Sequence, residues 1–133
     1  WAVVDGRPRE DRGSIELALL KVTGRQGWRI LPDPTGQPAR TEYTVRGTDG
    51  RRSWFELVPH TGRTHQIRVH CAEMGFPVVG DSVYGPDPKP VEPLMLHARG
   101  VTLPFVEGQP PIAVTAPPPA PMATALRSLG WRP

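Results

Sequence analysis

Cysteine is nearly absent from this 133-residue chain: Cys71 stands alone. That excludes an intramolecular disulfide and any zinc site built from several cysteines. Long hydrophobic runs are missing too. No stretch approaches the roughly 20 apolar residues of a membrane span, and no charged-then-apolar leader opens the chain. The expectation is a soluble cytoplasmic protein with no membrane partner. Lysine is scarce, with only Lys21 and Lys89, so the formal net charge of +3 and the pI near 9.6 rest on arginine. The planar guanidinium suits phosphates and base edges. A GC-rich coding bias explains the same count, and the abundant proline, alanine and glycine fit that bias. Charge alone permits a nucleic-acid partner without requiring one.

What the chain does have is 14 glycines and 18 prolines, against 38% hydrophobic and 22% charged residues. The prolines punctuate loops instead of forming a low-complexity tract, and there is no internal repeat. A chain of this length makes one domain, or part of one, with a modest core.

Hydrophobic patterning predicts many short strands and little helix. Trp1–Val4 is strand-like and ends at the turn Asp5-Gly6-Arg7-Pro8. Gly13–Lys21 alternates as one strand, and Arg25–Leu31 makes another. Thr41, Tyr43 and Val45 alternate with Glu42, Thr44 and Arg46, and Asp49-Gly50 turns the chain into Ser53–Pro59 with Phe55 and Leu57 on one face. Phe76–Val79, Leu94–Ala98, Gly100–Phe105 and Ile112–Thr115 read as strand pieces. One internal helix is expected, capped by Thr64, with Ile67, Cys71 and Met74 as its buried stripe and Gly75 as its stop. A second runs from Met122 to Leu129, with Met122, Ala125, Leu126 and Leu129 at helical spacing and Gly130 as its stop.

The densest chemistry lies in Pro59-His60-Thr61-Gly62-Arg63-Thr64-His65-Gln66-Ile67-Arg68-Val69-His70, followed by Gly80-Asp81 and Tyr84-Gly85. An ordinary core does not need such polar density; a pocket for a phosphorylated or planar polar ligand does. Arg63 and Arg68, beside a Thr-Gly turn and a helix start, read as an anion-binding group, the alternative being surface charges. His65 and Arg68 fall three residues apart on a helix flank. Evenly spaced His60, His65 and His70 invite a metal site, but no cysteine pair or acidic cluster completes one. Asp81 reads as a turn aspartate, with a nucleophile as the alternative. Cys71 reads as helix core.

These segments resemble the RluA-type RNA pseudouridine synthases. Leu57 to His70 follows L-x-P-x-T-G-R-x-H-Q-I-R-V-H, and Gly80-Asp81 with Tyr84-Gly85 follows G-D-x-x-Y-G. Weaker matches run through Trp1–Gly6, Gly13–Ile15, Thr41–Val45, Leu96-His97-Ala98 and Ala116–Pro119. The resemblance implies an α+β fold with a mixed, mostly antiparallel sheet, one or two packed helices and an incomplete N-terminus. It also implies isomerisation of uridine to pseudouridine in rRNA or tRNA, driven by an aspartate, assisted by a tyrosine, and needing no cofactor or metal. Carried onto this chain, Arg68 is the catalytic arginine that pairs with the aspartate. Leu96 walls the uracil pocket, and Arg63 and His65 hold the pocket and the RNA.

The family's aspartate motif, R-L-D-x-x-T-S-G, has no counterpart here. Its catalytic tyrosine would fall one position before Trp1. Residues 1–133 are therefore expected to be the C-terminal part of a catalytic domain, inactive alone, whose partner is RNA together with the missing N-terminal portion. Lost strands would leave sheet edges and apolar surface exposed. The first alternative is a non-catalytic RNA-binding module that reuses the fold. The second is a hydrolase or transferase using Asp81 and a histidine.

Overall fold

The computed structural model describes residues 1–104 and 107–133. Eight strands and two helices follow one another: β1 (Ala2–Asp5), β2 (Arg12–Glu16), β3 (Leu19–Gly24), β4 (Gly27–Pro32), β5 (Arg40–Thr48), β6 (Arg52–Pro59), α1 (Gln66–Glu73), β7 (Gly100–Leu103), β8 (Ile112–Thr115) and α2 (Ala120–Ser128). Four strands make the main sheet in the order β1-β6-β5-β2, while β3-β4 and β7-β8 are two-stranded ribbons. All five named pairings are antiparallel. The α+β class, an antiparallel sheet with packed helices, is the one the sequence predicts.

The run Ala2-Val3-Val4 is fully buried because both of its edges are occupied. β6 pairs along one edge, with Ala2 opposite Phe55. On the other, single bridges join Ala2 to Leu96 and Val4 to Val78. A strand without alternation is what such burial on every side requires. Phe76–Val79 and Leu94–Ala98, expected as strands, supply only those bridges; Pro77 and Pro93 each lack the N–H that would extend a ladder. Around β1 the core gathers Tyr43, Phe55, Cys71, Met95, Met122 and Leu126. Burying Phe55 alone is worth about 1.5–3 kcal/mol.

The sequence reading needs three further corrections. Gly13–Lys21 is two strands, broken at Leu17-Ala18, where the Ala18 carbonyl accepts from Asp33 N and the chain leaves the main sheet for the β3-β4 ribbon. The N-cap position of α1 is His65, in the left-handed region at φ 53° and without a side-chain capping bond, and not Thr64. Its buried residues are Gln66, Val69, His70 and Cys71, so of the expected stripe only Cys71 is fully covered. An apolar-periodicity argument cannot register a helix face buried through hydrogen bonds. Helix α2 buries Met122, Ala123 and Leu126, with Leu129 just past its end and Gly130 at φ 99° after it. The strand expected over Gly100–Phe105 is β7, ending at Leu103; Phe105 lies outside the described residues. Val101, Leu103, Ile112 and Val114 lie on one face of the β7-β8 ribbon, all about half exposed, as expected of uncovered apolar surface.

Candidate functional site

Most of the polar density in the motif holds the protein together. Gln66 is buried at the start of α1, and its amide is fully engaged. Its Nε2 donates to the Arg40 carbonyl and to Thr41 Oγ1, both at 3.0 Å, and its Oε1 accepts from Thr61 Oγ1 at 2.8 Å and Arg63 N at 3.0 Å. Four bonds thus tie the Thr61–Arg63 turn to β5. Thr41 Oγ1 lies 2.8 Å from His70 Nδ1, and His70 Nε2 lies 3.0 Å from the Leu17 carbonyl. A carbonyl only accepts, so Nε2 carries the proton and Nδ1 accepts from Thr41. Burial lowers the pKa of His70, outweighing the opposing effect of the Leu17 bond, and so favours the neutral ring. Each such bond is worth about 1 kcal/mol net, and a buried group left without its partner costs more.

The second half of the motif is fixed through Asp81. Arg68 Nε donates to Asp81 Oδ2 at 2.8 Å and Nη2 to Oδ1 at 2.7 Å, a bidentate pair. Oδ1 also accepts from the amides of Val83 at 2.9 Å and Tyr84 at 3.0 Å. Burial acts to raise the Asp81 pKa, but the Arg68 bond and the Tyr84 and Val83 amides outweigh it and hold the carboxyl below its usual range. Asp81 is therefore the turn aspartate the sequence suggests and also the partner of Arg68. Its side chain is fully buried, with Oδ1 and Oδ2 engaged by Arg68 and two amides. Gly80 permits this turn: it sits at φ 78°, and a Cβ there would collide with the Pro93 carbonyl.

Tyr84 joins both halves to the β3-β4 ribbon. Its hydroxyl accepts from Ile30 N at 3.1 Å and shares a 2.8 Å hydrogen bond with His65 Nδ1. His65 in turn stacks on Trp28, with centroids 5.1 Å apart. Desolvation, then the Arg68 charge, lowers the His65 pKa. Trp28, Gln66 and Tyr84 were given no role by the sequence reading. Tyr84 and Gln66 stand inside the motif and could have been flagged there; Trp28 carries no local signal.

Arg63, His65, Arg68 and Leu96, the four predicted site residues, come together around one cavity of about 370 Å³, with Ile67 completing its apolar side. Arg63 is anchored through Nε to the Pro38 carbonyl at 3.0 Å. Leu96 is held by its bridge to Ala2. Among the described residues no acidic one lines this cavity, because Asp81 stays behind Arg68. A neighbouring cavity of about 550 Å³ shares Pro59, Ile67 and Leu96 and continues to Trp1, Glu56, His97 and Arg99. Cationic on one side and apolar on the other, the first cavity suits a planar, polar ligand attached to an anion. The three motif histidines diverge: His60 sits 3.2 Å from Glu42, His65 on Tyr84, and His70 in the core network. Among the described residues no group of three or more potential ligands gathers for a metal. Burial pushes the Cys71 thiol up to about 12, so it supplies no thiolate.

Comparison with known proteins gives the context. A profile described as RNA pseudouridylate synthase matches residues 1–73, which include β1, β5, β6 and α1. An uncharacterized RNA pseudouridine synthase of Zymomonas mobilis is 39% identical over 134 residues, covering 98% of this chain and 59% of that protein. Another, from Bacillus subtilis, is 36% identical, with 96% of this chain and 42% of that protein covered. The solved structure of human RNA Pseudouridylate Synthase Domain Containing 1 superposes with a TM-score of 0.71 at 30% identity, over 87% of this chain and 52% of that one. The chain thus spans roughly half the length of the relatives it matches. With a family profile across more than half its residues, and with the fold to match, the chain belongs to the RNA pseudouridylate synthase family.

Proposed function

We propose that this chain forms the C-terminal part of an RluA-type RNA pseudouridine synthase, a cytoplasmic enzyme isomerising uridine in rRNA or tRNA. The observation that carries this reading is the convergence of Arg63, His65, Arg68 and Leu96 on one cavity lined by no acidic group among the described residues. Arg68 is a positioning residue in this scheme. Asp81 fixes the guanidinium through Nε and Nη2, and no bond from Nη1 is found among the described residues. Nη1 is left to orient the aspartate that attacks the nucleoside and to keep it ionised, since a nearby cation favours the charged carboxylate. Leu96 and Ile67 bound the uracil face. The target base leaves its stack to enter.

The aspartate and the tyrosine come from a segment outside residues 1–133, which acts as the chain's partner. The test is tritium release from RNA labelled at uridine C5, with the chain alone and with the chain extended upstream in its reading frame through an R-L-D-x-x-T-S-G motif. Release by the extended protein only is the expected result, and Arg68→Met should then abolish it. An extended protein that carries the motif and releases nothing refutes the proposal. RNA binding without turnover in either form would instead identify a non-catalytic RNA-binding module.

A further inference from the structure

We propose that Lys21 and Arg63 form a phosphate-binding subsite that carries the RNA backbone away from the base cavity and under the β3-β4 ribbon. The inference rests on the RNA reading above and adds a residue, Lys21, and a direction to it. A second cavity of about 370 Å³ opens beside the first, walled by Lys21, Arg63, Thr64 and Gln37 over a floor that includes Leu19 and Ile30. Arg63 lines both cavities and so forms the ridge between them. A chain whose base entered the first would lay its backbone across this ridge.

Charge distinguishes this notch from the rest of the molecule. Arg40, Arg46, Arg52 and Arg68 all lie against carboxylates. Lys21 and Arg63, like Arg51 and Arg99, line cavities without a carboxylate partner among the described residues, but the cavities of Arg51 and Arg99 also hold Asp49 and Glu92 or Glu56. Among the described residues no acidic one borders either of the two cavities that Arg63 joins, whereas the cavity on the far side of Arg68 is lined by Asp5, Asp81, Asp87 and Glu92. The anchoring of both cations leaves their charge available. Arg63 is held by Nε on the Pro38 carbonyl, with no bond from either terminal nitrogen found among the described residues. Lys21 is held not by an anion but by the Trp28 ring, with Nζ 4.5 Å from its centroid. Trp28 in turn stacks on His65. The ribbon is thereby docked on the motif helix in a way that presents an ammonium and a guanidinium to one space. Thr64 and Gln37 offer neutral donors there, as phosphate oxygens require.

The test is binding of a fluorescent, uridine-rich single-stranded RNA of about a dozen nucleotides, followed by anisotropy between about 50 and 200 mM salt. Each phosphate contact contributes about 0.7 to the slope of log affinity against log salt for a single strand. Lys21→Gln and Arg63→Gln should each weaken binding severalfold and reduce the steepness of that slope by about 0.7, the pair by about twice that. Lys21→Arg should keep the wild-type slope, showing that charge and not packing on Trp28 is read. Arg7→Gln, in the β1-β2 turn and lining neither cavity, should change nothing. Wild-type binding with an unaltered slope in both glutamine variants overturns the subsite and leaves the proposed function standing. No RNA binding by the wild type at any salt overturns the subsite, while tritium release by the extended protein decides the proposed function separately.

Discussion

The Arg68–Asp81 pair makes the sharpest energetic claim. Its two hydrogen bonds, at 2.8 and 2.7 Å, join side chains that are 16% and 0% exposed. Breaking a buried pair by removing one partner costs about 3–5 kcal/mol, because the other charge is left unmatched. Arg68 keeps an edge in solvent, so Arg68→Ala and Asp81→Ala should each cost about 3 kcal/mol. Asp81→Ala should be the worse of the two, since it also strips the Val83 and Tyr84 amides of their acceptor. In a chain of this size that is a fall of roughly 10 °C in Tm, large against a total stability of about 5–15 kcal/mol. Urea denaturation of the wild type, both single variants and the double variant closes a cycle. The double variant should cost little more than the worse single one, giving a coupling of about 2–3 kcal/mol. Coupling below about 0.5 kcal/mol, the level of unconnected sites, would refute the claim that this contact fixes Arg68.

Acid should weaken the fold in two stages. His65 and His70 have folded pKa values below that of a free imidazole, so the unfolded chain binds more protons as pH falls below about 6.5. Stability present above that pH should therefore decline toward pH 5. The depressed pKa of Asp81 adds a further loss as pH falls through its folded value, below about 4. Denaturant midpoints measured across this range check both stages, and a flat profile between pH 7 and 5 would show that neither imidazole is held neutral. Gly80→Ala should destabilise by about 2 kcal/mol or more through its left-handed backbone and the Pro93 carbonyl. Calorimetry reads this directly, and an unchanged Tm would mean that the turn has room to shift.

How much of this was legible in the sequence depends on the kind of signal each residue carries. Strands β5 and β6 were legible because Thr41, Tyr43 and Phe55 alternate cleanly into the core. The two-edged burial of β1 was not, since its partners at Val78 and Leu96 are single bridges distant in sequence. The four site residues were named from family likeness, and their convergence on one cavity needed the fold. The partner actually present for Arg68, Asp81, was hidden because a turn aspartate and an ion-pair aspartate look alike in one dimension. So was the true face of α1, whose burial runs through Gln66 and His70.

The four hydrogen bonds of the Gln66 amide carry a consequence for evolution. Selection for folding alone would favour keeping Gln66, Arg68 and His70 within H-Q-I-R-V-H. A descendant that had lost every reacting group would still be under pressure to keep Gln66 and His70, whose bonds tie α1 to β5. Inheritance of these letters reports a surviving scaffold, and a census of active enzymes has to be taken from the aspartate instead.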